Sequence, residues 1–278
     1  MNEDIERIVG DYVIVEGSVF GDNLAKRKDA TDDDAQFFFV ERVSRLNDEK
    51  IVELKRMTAQ FMRLNHPALV PLQDVYFDAE ISSAYLVWVY EGVQLSDVYF
   101  RQKQPLPLQY IVQWGMDMCD ALIYFHEQNP PYIVETVRPY DIVITQDRRA
   151  KLFGYGLGVK QDSLERVSIL SATPELCFGN YFAPEHTHTT LLQDLTPQYD
   201  IYCLGSTLHQ LLTRKDPFQD FDRPLVQRTD YLASALHTAG VPKAVSDIVV
   251  KATHDNAEKR YTTVRAMKAD LHALATDI

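Results

Sequence analysis

Cysteine is scarce: Cys119, Cys177 and Cys203 are the three in 278 residues, too few and too scattered for a disulfide framework or a Cys-based zinc site. Three free thiols and a reducing compartment are expected. Cationic charge is also short, with 28 Lys and Arg against 40 Asp and Glu and a formal net charge of -12. Nucleic-acid binding draws most of its affinity from clustered Lys and Arg, so a broad phosphate-binding face is excluded. No apolar run approaches the roughly 20 residues that span a bilayer. The first residues, Met1-Asn2-Glu3-Asp4, lack the cationic and apolar parts of a leader. The expectation is a cytoplasmic domain with neither nucleic acid nor membrane among its partners. Internal repeats and low-complexity segments are absent too.

What is present changes character near the middle. From about Asp11 to Tyr90, runs such as Tyr12-Val13-Ile14-Val15, Phe37-Phe38-Phe39-Val40 and Tyr85-Leu86-Val87-Trp88-Val89 read as strands. One helix interrupts them over Asp48 to Leu64, where Ile51, Leu54, Thr58, Phe61 and Met62 share a face. His66-Pro67 ends it. After Pro105 the period turns helical: Ile111, Gly115, Met118, Leu122 and Phe125 form one stripe, and Ile201, Leu204, Leu208 and Leu211 another. Val245, Ile248 and Val249, then Val264, Met267, Leu271 and Leu274, mark two more helices. Short strands at Asp141 to Thr145 and Ala150 to Phe153 flank the turn Gln146-Asp147-Arg148-Arg149. The predicted class is α+β, with a small β-rich lobe carrying one helix over 1–90 and a larger helical lobe over 91–278. The acidic run Asp32-Asp33-Asp34 reads as a solvated loop.

The stretch Leu122 to Gly158 resembles the catalytic and metal-binding loops of bacterial Ser/Thr protein kinases. Ala183-Pro184-Glu185 matches the end of that family's activation segment, and Asp200-Ile201-Tyr202-Cys203-Leu204-Gly205 its central large-lobe helix. The resemblance implies a bilobal kinase-like fold and three structural residues. Glu185 would pair with Arg260 in a buried ion pair, and Asp200 would hold the catalytic-loop backbone.

At the catalytic positions the resemblance implies losses. Phosphoryl transfer needs metal ions, a lysine and an aspartate fixed around the phosphates. Val134-Glu135-Thr136 stands for His-Arg-Asp, so Thr136 replaces the base; Arg138 replaces the catalytic-loop lysine and keeps its charge. Gly154-Tyr155-Gly156 stands for Asp-Phe-Gly, which removes a metal carboxylate, and Asp141 stands for the metal-binding Asn. Asp141 alone is a poor magnesium site. In the small lobe Glu41 falls at the phosphate-anchoring lysine and Met57 at its glutamate partner. Gly17-Ser18-Val19-Phe20-Gly21 falls short of the three-glycine phosphate loop. The sequence expectation is therefore a pseudokinase, not an enzyme, with no cofactor, no metal and ATP binding absent or weak.

Phe39 replaces a small alanine against adenine, and Trp88 sits at the back of that pocket. Two aromatic rings of ~150–250 Å² each can fill a purine's volume; the alternative is that both turn into ordinary core. Phe61, Val134 and Tyr155 supply apolar groups where kinases stack a column joining the lobes. Ser163, Ser168, Ser171 and Thr173 lie in the activation segment and are candidates for phosphorylation by a true kinase. Phe178 stands near a substrate-supporting threonine. His186 and His188 read as loop residues rather than metal ligands. The implied role is a protein-binding scaffold or regulatory domain whose partner is an active kinase or another module of the same pathway. Alternatives are an atypical phosphotransferase using Asp141 and Arg138, and a nucleotide sensor without turnover. Oligomeric state is not legible.

Overall fold

Alternation decides the first sheet. In Phe37–Val43, strand β4, successive side chains point to opposite faces, and both faces are apolar enough to be covered. This computed structural model describes residues 8–15, 24–31, 36–43, 46–101, 104–155, 181–185, 195–215 and 228–276. The Gly17 to Gly21 segment, Asp32 to Asp34, Gly156, Ser163, Ser168, Ser171, Thr173, Cys177, Phe178, His186 and His188 lie outside those residues. The described chain divides into two compact units, the first holding its residues up to 65 together with 70–91, the second holding 66–69 and those from 92 onward.

The first unit is a six-stranded antiparallel sheet with one helix. Its strands are β1 (Ile8–Val9), β2 (Tyr12–Ile14), β3 (Leu24–Arg27), β4, β5 (Leu72–Asp78) and β6 (Ser83–Val89), in the spatial order β1-β2-β3-β4-β6-β5. On one face Tyr12, Ala25, Phe38, Val40 and Val87 form a cluster. Tyr12 reaches across the sheet to donate to Asp74 at 2.5 Å. Gly10 turns β1 into β2 with φ of 54°, and a Cβ there would lie 2.0 Å from the Tyr76 ring, so glycine is required twice over.

Helix α1 (Asp48–Phe61) starts where Asn47 accepts from the Lys50 amide at 2.9 Å. It stops three residues before the expected Leu64. Arg63 and Leu64 bond back to Gln60 and Phe61, three residues earlier, a tightened last turn ahead of His66-Pro67. Leu54, Met57, Thr58 and Phe61 are its buried side.

The second unit begins with β7 (Gly92–Gln94), which joins β8 (Ile142–Thr145) and β9 (Ala150–Leu152) in a three-stranded antiparallel sheet. Its described helices are α2 (Leu95–Arg101), α3 (Leu108–His126), α4 (Pro197–Thr213), α5 (Arg228–Thr238), α6 (Lys243–Ala252) and α7 (Val264–Ala275). Helix α3 is central and packs on α4, α7 and β9. Its one buried acid, Asp117, takes hydrogen bonds from Gln113, from Arg149 at 2.5 and 3.0 Å and from the Ala150 amide at 2.8 Å. That carboxylate pins the β8–β9 turn to the helix. Gly205 lets α4 approach α6, since a Cβ would meet Thr253 at 2.7 Å and Ala252 at 2.9 Å.

One buried polar group in this core is a pH liability. Burial of His209 on α4, where neither ring nitrogen has a hydrogen-bond partner among the described residues, lowers its pKa to about 4. The unfolded chain takes up a proton near pH 6.5, which the folded ring refuses until about 4. The stabilising contribution is thus complete above 6.5 and lost as pH falls. At pH 5 the loss is about 2 kcal/mol relative to pH 7. Urea midpoints at the two pH values should separate less in His209→Gln than in the wild type; equal separation would remove His209 as the cause.

Candidate kinase-type site

Three side chains on one face of α4 build the loop at 134–138. Asp200, Cys203 and Thr207 are spaced i, i+3 and i+7, which places them in a row along the helix. The Asp200 carboxylate accepts from the amides of Val134 at 2.9 Å and Glu135 at 2.8 Å. The Cys203 thiol lies 3.6 Å from the Glu135 carbonyl, and the Thr207 hydroxyl donates to the carbonyl of Val137. His126, at the end of α3, brings its Nε2 to 2.7 Å from Asp200. The backbone of the loop is therefore held by α4 at Val134, Glu135 and Val137. Glu135 adopts φ of 73°, a left-handed conformation that costs a non-glycine residue energy and persists because α4 grips both its amide and its carbonyl.

Within this loop Thr136 is buried, and its hydroxyl has no hydrogen-bond partner among the described residues. Arg138 and Asp141 face each other across a 3-10 turn, Pro139–Asp141. The guanidinium donates from Nε at 2.7 Å and Nη2 at 2.8 Å, and the Arg138 amide adds a bond at 3.0 Å. Both residues are buried. A carboxylate has about four acceptor positions, and three of them are taken. Arg138 and Asp141, which the resemblance sets at the catalytic-loop lysine and the metal-binding Asn, are joined to each other. The amide of Phe153 donates to the Asp141 carbonyl at 2.7 Å, tying the end of β9 to the same turn. Gly154 follows at φ of 61°, and Tyr155 is buried with its ring 5.2 Å from Phe125. As a magnesium–nucleotide site this donor set fits poorly, since Asp141 is largely engaged and Gly154 supplies no carboxylate.

Glu185 and Arg260 meet at 2.6 and 2.7 Å in a two-pronged pair. The expected buried pair is buried at one end: the Arg260 side chain is fully enclosed, whereas that of Glu185 is 36% exposed. Arg260 also donates to the carbonyls of His254 and Gln198, at 2.7 and 3.1 Å.

In the first unit Phe39 and Trp88 are paired across β4 and β6, so they share a face of the sheet, as does Glu41 two residues along. All three are buried. Trp88 Nε1 donates to Glu41 at 3.3 Å, and the Phe39 ring lies 4.9 Å from that of Tyr90. Met57 is buried on α1.

Comparison with known proteins identifies the architecture, for the protein kinase domain family matches residues 28–271. The chain belongs to the protein kinase family. The Ser/Thr protein kinase PknB of Mycobacterium leprae is 27% identical over 229 residues, covering 79% of this chain and 35% of that protein. PrkC of Bacillus subtilis is 27% identical over 232 residues, covering 81% of this chain and 34% of that protein. This kinase-family chain spans about a third of the length of the curated relatives it matches. Among solved structures, the pseudokinase domain of BIR2, an immune regulator of the RLK/Pelle family, superposes with a TM-score of 0.65 at 19% identity. It covers 96% of this chain and 82% of its own. That likeness shows the fold: a kinase-like arrangement of a β-rich N-lobe with one helix and a helical C-lobe.

The same findings overturn one expectation. The sequence reading held that the chain is not an enzyme, for want of the catalytic Asp, the metal-binding Asp and the Lys/Glu pair. Its curated relatives are named Ser/Thr protein kinases, and the matched family is the kinase domain itself. Non-enzyme status is withdrawn. Among the described residues no helix is long and apolar enough to cross a membrane.

Sequence reasoning missed Asp117, His126, Cys203 and Thr207. The i, i+3, i+7 spacing from Asp200 was available as a signal; the partners of Asp117 and His126 were not, because they come from distant segments.

Proposed function

We propose that this domain, with an N-lobe over 1–90 and a C-lobe over 91–278, works chiefly through the proteins it binds. It serves as a scaffold or regulatory module in the cytoplasm, with an active kinase or another module of the same pathway as partner. The observation that carries the reading is the Arg138–Asp141 pair. A cation and a carboxylate that would otherwise serve phosphate and metal neutralise each other at 2.7 and 2.8 Å. Glu41, hydrogen-bonded to Trp88, adds negative charge where the family resemblance places an anchoring lysine. Phe39 and Trp88 contribute bulk where it places adenine. Weak ATP and magnesium binding follows from these three features together.

Phosphoryl transfer is the second reading, favoured by the names of the relatives. On that reading Asp141 and Arg138 separate when nucleotide arrives. Thermal shift and calorimetry with ATP, with and without Mg²⁺, distinguish the two, since a ligand selective for the folded state raises its stability. The binding role predicts little stabilisation and no magnesium dependence. A magnesium-dependent shift together with transfer of labelled γ-phosphate to the chain or to a generic substrate protein would replace it with the second reading.

A further inference from the structure

A groove in the larger unit lies apart from the loop described above. Pro105 and Pro107 bracket the entry to α3; each fixes its own φ and biases the residue before it toward an extended conformation. Tyr110 and Trp114 follow at i and i+4 on α3, and their rings stack 6.0 Å apart with 17° between planes. The indole Nε1 donates to the Arg148 carbonyl at 2.9 Å, which satisfies the one polar atom of Trp114. Arg148 sits in the β8–β9 turn with φ of 63° and lays its guanidinium 5.3 Å from the Tyr110 ring centre. Ile144 forms part of the floor, and the cavity is ≈ 600 Å³.

Two properties define an occupant. The walls are prolyl, aliphatic and aromatic, and a pair of stacked rings with its polar atom already satisfied is a surface for apolar or prolyl side chains. The charge is one-sided. Among the described residues that line the groove none is acidic, in a chain with 40 Asp and Glu, and the one cation among them, Arg148, is exposed and donates to the Tyr110 hydroxyl. An acidic segment is repelled by most of a surface whose net charge is -12 and attracted here, so Arg148 sets both place and direction.

We infer that this groove docks an extended, proline-rich segment of a protein partner that carries an acidic residue, its carboxylate pairing with Arg148 while its apolar residues lie on Pro105, Pro107 and the half-buried Tyr110, over the buried Trp114. This rests on the protein-binding reading and gives it a surface and a partner chemistry. The test selects a phage-displayed library of short random peptides on the immobilised chain, then measures fluorescein-labelled winners by polarisation against the wild type, Arg148→Glu and Tyr110→Ala. Neither substitution touches the loop held by Asp200. Enriched peptides should combine proline or aliphatic residues with Asp or Glu and change Trp114 fluorescence. They should bind Arg148→Glu on the order of fivefold to tenfold more weakly. Replacing the acid by lysine should restore binding to Arg148→Glu. Peptides without acidic preference, or ones that bind both variants as well as the wild type, overturn the groove and leave the protein-binding reading standing. Failure both to enrich any peptide and to capture any partner overturns the two together.

Discussion

Replacing Arg138 with alanine is expected to lower the free energy of unfolding by about 3–5 kcal/mol, because it strands the Asp141 carboxylate in a buried site with its chief countercharge removed. The geometry sets the size of this effect. Asp141 takes two bonds from the guanidinium, at 2.7 and 2.8 Å, and one at 3.0 Å from the Arg138 amide; the substitution removes the first two. Removing both charges should cost far less, since a buried pair replaced by apolar side chains of similar volume is often close to neutral. Urea unfolding of Arg138→Ala and of Arg138→Met combined with Asp141→Leu checks this. If the double variant is as unstable as the single one, the loss comes from packing and the ion pair is not the cause. The same pair of variants separates stability from ligand binding: under the second functional reading, freeing Asp141 in Arg138→Ala would strengthen magnesium binding.

The other large effect belongs to Asp200. Alanine there leaves the amides of Val134 and Glu135 unpaired inside the protein and takes away the acceptor beside His126. Hydrogen bonds to a charged group contribute about 1.5–3 kcal/mol each, so a loss of about 3–5 kcal/mol is expected. Asparagine is nearly isosteric but turns an NH₂ toward at least one of these donors. Asp200→Asn should therefore lose at least half as much as Asp200→Ala. Denaturant unfolding and hydrogen exchange at the two amides read this directly. An asparagine variant as stable as the wild type would show that the loop is held by Cys203 and Thr207 instead.

These two sites show unequal legibility. Asp200, Glu185 and Arg260 were named from order and spacing along the chain, because family motifs tie architecture to residue type. The degree of burial was not: Arg260 is enclosed while Glu185 stays partly in solvent, and no local pattern encodes the difference. Arg138 and Asp141 were also named individually. Their mutual engagement depends on the 3-10 turn at Pro139, which folds residues three apart onto each other. The end of α1 was overestimated because Met62 continues the apolar face, whereas its last carbonyls are taken by shorter-range bonds before Pro67. The step from residue substitutions to loss of activity was a larger error of kind. Residue identity at an aligned position does not measure turnover, and the named relatives are kinases.

Periodicity, composition and motif order by themselves determined that a β-rich half precedes a helical half, which stripes are buried, and to which family the chain belongs. Each is a local or sequential property, written in the spacing of apolar side chains and of a few charged ones. Only the tertiary structure decided which charges meet: Asp117 with Arg149, His126 with Asp200, Trp88 with Glu41, and the aromatic groove capped by Arg148. These contacts join segments 30 or more residues apart. An electrostatic partner is chosen by distance in space, which the sequence does not contain until the chain has folded.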